Sequence, residues 1–203
     1  MEKDSMKDSF LKSVKNHRLE IKYDTGIYRH IILSDGTFNM MYEIITYPRG
    51  LVFTGDMGTY VFERTNDMFM FFRTGKQPDG KININPVYWS EKCKSKCVTD
   101  GIEKFSPELF REAVKEYVIN YFNDADDENE KNEILEEVEI QILSKDDSTF
   151  ELVAALNNFN SGGSEFEFCD FWENPCTEYT CRFLWCLYAI VYAIKKYDDI
   201  RAV

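Results

Sequence analysis

Cysteine and histidine are the first residues to ask for nucleophilic or metal chemistry, and this chain has six of one and two of the other. Cys93 and Cys97 are spaced to share a helix face, and Cys176, Cys181 and Cys186 follow at intervals of five, with Cys169 nearby. Neither pattern is the close C-x2-C pairing of a zinc ribbon, and His17 and His30 lie far off in sequence. The reading is therefore reduced structural thiols, with no metal and no cofactor. A Cys–His nucleophile has no local signature, and Cys181 and Cys186 fall in an apolar run where thiols behave as small hydrophobes.

Carboxylates offer the second chemistry. Asp24, Asp35 and Asp56 stand near turns at the ends of apolar runs, where acids from separate elements can converge for acid–base or metal-assisted hydrolysis. Turns also select Asp for its backbone hydrogen bonding, which accounts for all three without catalysis. A small carboxylate-dependent hydrolase or nuclease is kept as the alternative function. Phosphate cradles are not indicated: there is no G-x-x-x-x-G-K-[ST] element, and neither "GDMG" nor "SGGS" has the required strand-to-helix context and glycine spacing. Arg49, Arg64 and Arg73 would bind an anion if clustered, but Glu63 and Asp67 are local partners for the last two.

The acids are most concentrated from Asp124 to Glu139, with nine acidic side chains against one lysine. The whole chain carries a formal charge of −12, a field that repels nucleic acid and anionic membrane and attracts basic surfaces. Asp124, Asp126, Asp127, Glu128, Glu130, Glu133, Glu136 and Glu137 are accordingly the candidate partner-binding residues. Their partner would be a protein with a Lys/Arg-lined, nucleic-acid-handling groove, with no direct nucleic-acid or membrane contact.

These residues need a scaffold, and the pattern of apolar residues predicts an α+β fold in a single domain, residues 1–203. A short helix around Phe10, Leu11 and Val14 precedes an antiparallel β meander of four or five strands over residues 19–64, punctuated by "DTG", "SDG", "PRG" and "DMG". "TNDMFMFF" predicts a helix capped by Thr65 or Asn66, and "NPVYWSEKCKSK" another with Pro86 in its first turn. Ser106 and Pro107 open an amphipathic helix to about Phe122. It begins a helical region, residues 106–158, that holds the acidic segment 124–139 and a further helix behind Ser148. "EFEFCDFW" alternates as a strand or an aromatic extended segment. Residues 177–198 predict a long apolar C-terminal helix as the spine of the core. The meander packs against these helices. The N-terminus lacks the apolar stretch of a secretory signal, so a cytoplasmic location is expected.

"GDMGTYVFERTNDMFMFFR", "INPVYWSEK", "DFWE" and "FLWCLYAIVYAIKKYD", in that order between about Tyr42 and Asp198, resemble successive blocks of a family of proteins encoded by bacteriophages and prophages. The resemblance implies an accessory protein made in the cytoplasm of an infected or lysogenic bacterium, and it transfers no catalytic residue. Joined to the acidic segment, it leads to the expectation of a non-enzymatic inhibitor of a host protein, such as a CRISPR-type or other immune nuclease complex. A phage structural or assembly accessory is the blander alternative.

Overall fold

The computed structural model describes residues 3–73, 82–123 and 128–201. Helix α1, Lys3–Ser13, leads into five strands that pair in chain order: β1 Arg18–Thr25, β2 Tyr28–Ser34, β3 Tyr42–Tyr47, β4 Gly50–Gly55 and β5 Gly58–Glu63. Every pairing is antiparallel, and the register places Leu33 opposite Tyr42, Ile44 opposite Phe53 and Phe53 opposite Tyr60. One face of the sheet therefore carries Ile31, Leu33, Tyr42, Ile44, Leu51, Phe53, Tyr60 and Phe62, all fully buried. This is the period-2 alternation of a half-buried sheet.

A sixth strand, β6 Cys93–Ser95, pairs with β5 and extends the sheet beyond the four or five strands expected. It also corrects the helical reading of the cysteine pair. Helix α3, Pro86–Ser90, is capped by Asn85 and ends before Cys93, so Cys93 and Cys97 share no helix face. Helix α2, Met68–Phe72, takes Asp67 as its N-cap in place of Thr65 or Asn66, the carboxylate accepting from Phe69 N–H at 2.9 Å.

Helix α7, Cys181–Arg201, covers the buried face. Thr177–Tyr179, expected to open that helix, is instead strand β8. The helix is apolar only from Phe183 to Ile194 and closes on Lys195, Lys196, Asp198, Asp199 and Arg201. No helix among the described residues is long and apolar enough to cross a membrane, and the expected long apolar helix becomes a helix of 21 residues with an apolar middle.

The chain divides into two compact units, one formed by residues 1–103 and 179–203, the other by residues 104–178. The chain passes between them within two short strands, β7 Glu103–Phe105 and β8, which pair with each other. The second unit contains α4 Pro107–Tyr121, α5 Glu128–Val138 and α6 Thr149–Asn157. Ser106 caps α4 and Ser148 caps α6, each hydroxyl accepting a backbone N–H three residues on. A π-helical turn, Glu139–Leu143, continues α5. Phe110, Val114 and Val118 pack with Ile134, Val138, Ile142, Leu152 and Leu156. Of the two readings of "EFEFCDFW" the strand does not form: the segment runs irregularly into a 3-10 turn, Phe171–Glu173, and buries Phe166 and Phe171 in this second core.

Candidate functional site

The acidic face of α5 is built by simple periodicity. Ile134 and Val138 lie four apart and are buried, and Ile142 continues the row through the π turn. Glu133, Glu136 and Glu137 occupy the faces left over, with Glu133 and Glu136 exposed and Glu137 half-buried. Together with Glu130 they line one side of an open groove of ≈ 760 Å³. The opposite side is the loop Ser161–Ser164, where Gly162 and Gly163 adopt φ of 66° and 129°, backbone that favours glycine.

This loop is tied to the acidic helix. Ser164 Oγ donates to Glu130 Oε1 at 2.6 Å. Gln141 Nε2 donates both to Glu137 Oε2 at 2.7 Å and to the Asn160 carbonyl at 2.9 Å, while Asn160 N–H donates to Gln141 Oε1 at 3.2 Å. These hydrogen bonds tie the two walls of the groove to each other. Glu128 lies in the first turn of α5, where the helix dipole favours an acid, and accepts from Lys131 at 3.3 Å. Of the predicted binding residues, the structure brings Glu130, Glu133, Glu136 and Glu137 together along the groove. Asp124, Asp126 and Asp127 lie outside the described residues.

The other sequence candidates are spent on structure. Asp35 accepts from the N–H and hydroxyl of Thr37, and Asp56 accepts from Met40 N–H at 2.9 Å, both at one end of the sheet. Asp24 sits at the other end, beside the β1–β2 turn, where it accepts from Tyr197 Oη and pairs with Arg201. The three do not converge, and among the described residues no group of His, Cys, Asp or Glu is arranged to hold a metal ion. His17 Nε2 donates to the Met40 carbonyl at 2.9 Å, and His30 pairs with Glu43 at 2.7 Å, so each imidazole has a partner other than a thiol. Arg73 pairs with Asp198 instead of Asp67, and Asp67 takes Arg29 in a bidentate pair at 2.9 and 3.0 Å. The Arg29 guanidinium also lies 4.5 Å from the Phe69 ring centroid.

Two features had little signal in the sequence. Cys97 is half-buried beside Gly58, and backbone hydrogen bonding at Thr99, aided by the Thr99 side chain and the Thr59 and Asp100 backbone, outweighs burial and lowers its thiol pKa. Burial instead pushes the Cys93 and Cys186 thiols up. The second feature is a recess lined by Phe159, Phe166, Phe168 and Trp172, next to the acidic groove. Its aromatics were legible as a cluster, but their alternation imitated a strand.

Comparison with protein-family models, with curated proteins and with solved structures finds no match.

Proposed function

We propose that this is a phage-encoded accessory protein that binds and inhibits a host protein, an immune nuclease complex of the CRISPR or another kind, through the acidic face of α5. The observation that carries the reading is the alignment of Glu130, Glu133, Glu136 and Glu137 along one open groove. Carboxylates in this row meet a Lys/Arg-lined channel as phosphates would, and the net charge of −12 adds long-range attraction. The phage origin rests on the sequence blocks alone. The binding mode rests on charge and shape.

The test is inhibition of a purified bacterial immune nuclease complex by the parent protein and by a variant carrying Asp126→Asn, Asp127→Asn, Glu133→Gln and Glu136→Gln. Inhibition by the parent should weaken as salt rises, because exposed charges are screened beyond about 10 Å at 0.1 M salt. The variant should inhibit less at low salt and converge on the parent at high salt. Equal inhibition by both proteins at every salt concentration would end the acidic-surface reading.

A further inference from the structure

The recess beside the acidic groove has a composition of its own. It measures ≈ 590 Å³ and its lining is mostly polar, with Asn157, Asn160, Ser161 and Glu167 among its members, while Phe168 and Trp172 give it accessible aromatic surface. Its aromatic members pack edge to face: Phe166 and Phe168 centroids are 5.0 Å apart, and Phe159 and Phe168 5.3 Å. Trp172 stacks against Phe110 at 6.2 Å, yet it remains 49% exposed. Glu167 stands between Phe166 and Phe168 in the chain and is exposed, and its carboxylate has no ion-pair or hydrogen-bond partner among the described residues. Asn157 adds an exposed amide at the end of α6.

We infer that this recess is an arginine anchor for a basic partner segment lying along the acidic groove. The inference rests on the acidic-docking reading and adds to it the side chain that is recognised. Aromatic faces attract a cation through their quadrupole, and arginine in particular stacks flat on indole. A planar guanidinium also presents paired N–H donors to one carboxylate, which an ammonium cannot match. A recess that sets an exposed indole beside one unpaired carboxylate thus favours arginine over lysine and disfavours phosphate. Continuity supports the same occupant: Ser161 lines both the recess and the groove, so a single extended segment can contact Glu133 and Glu136 and still place an arginine beside Trp172.

Trp172 supplies the readout. The other two tryptophans, Trp89 and Trp185, are 1% and 4% exposed, so an indole signal that responds to a peptide reports on Trp172. The full-length protein would be titrated with short peptides alternating glycine with arginine, and with glycine–lysine peptides of equal length and charge. Indole fluorescence and calorimetry would be followed together. The arginine peptide is expected to shift the indole emission and to bind about tenfold tighter than the lysine peptide. Glu167→Gln, at an exposed position, should remove most of that preference while leaving the protein folded. Trp172→Ala should do the same by calorimetry.

Equal binding of the two peptides without an indole response, weakened by Glu133→Gln with Glu136→Gln, would overturn the anchor and leave the docking reading standing. An arginine preference that ignores both salt and those groove substitutions would retain the anchor and remove the docking reading. Absence of binding by either peptide would overturn the anchor. So would an indole response to a neutral oligosaccharide without response to either peptide, which would assign the recess to sugars.

Discussion

Gly58 has a φ of 109°, and a Cβ built on it would stand 2.8 Å from Cys97 Sγ, so a side chain there meets both backbone strain and a neighbour. Gly58→Val should cost on the order of 1 kcal/mol or more. Asp56→Ala, two residues earlier, removes only the acceptor for Met40 N–H at an exposed site and should cost less, about 0.5 kcal/mol, with the fold kept. Urea midpoints for the two variants test the contrast. The Cys97 thiol, held low by its backbone hydrogen bonds, should be alkylated by iodoacetamide before Cys93 and Cys186. Mass spectrometry after brief labelling at neutral pH gives the order, and labelling of Cys93 ahead of Cys97 would refute it. Asp67 shows a balance of another kind. Burial alone would raise its carboxyl pKa, but the Arg29 hydrogen bond and charge, with Phe69 N–H, outweigh burial and lower it. Its folded pKa lies below the unfolded value, so the contribution is full above the ordinary carboxylate range near pH 4 and is lost as pH falls through the folded pKa. Asp67→Asn should therefore lower stability at neutral pH, by about 3 kcal/mol for a pair this buried, and flatten the acid limb of the stability–pH profile.

Helix ends separate what sequence showed clearly from what it did not. Ser106 followed by Pro107 and an acid was readable because a capping hydroxyl, a fixed φ and a favourable dipole contact are local properties. The structure places Ser106 at 2% exposure, its own N–H donating to the Cys176 carbonyl at 2.9 Å. Ser106→Ala should cost about 1–2 kcal/mol, and Ser148→Ala, at an exposed cap, about 0.5–1 kcal/mol, as thermal midpoints would show. Asp67 displaced the expected caps because the position is also chosen by Arg29, thirty-eight residues away in sequence, which no local window contains. Strand β6 was missed for a similar reason: three residues at a sheet edge carry almost no periodic signal, and only pairing with β5 makes them a strand. For residues 165–172 the strand reading failed in the opposite direction. Alternation there serves an aromatic core, with no neighbouring strand to pair with. The acidic segment was legible as part of a helical region, and Ile140, two residues past buried Val138, falls off the buried row by helical spacing and stands 65% exposed. The groove itself was not legible, because its far wall comes from Ser161–Ser164, a glycine loop whose position depends on Gln141 and Glu130.

The arrangement of the whole chain gives the last prediction. Residues 104–178 interrupt a unit that is otherwise complete, with a sheet and α7 sharing one buried cluster, while the interrupting segment has a cluster of its own. The two ends of the interruption are held close from within the first unit: Thr180 N–H donates to the Ile102 carbonyl at 2.9 Å, and Thr180 Oγ1 to the Gly101 carbonyl at 3.4 Å. A gap this narrow can be closed by a tight turn at little entropic cost, since short loops are the least expensive to close. Replacing residues 104–178 by Asn-Gly should therefore leave a folded protein. Its near-ultraviolet circular dichroism should retain the contribution of Trp89 and Trp185, both buried in the first unit's cluster, and it should melt cooperatively. The same variant loses α5, the groove and Trp172, so it should lose binding to basic peptides and inhibition of the nuclease complex together. A folded deletion variant that still inhibited would move the functional surface to the first unit. A variant without cooperative melting would show that the first unit draws stability from residues 104–178, and that the two clusters are not energetically separable.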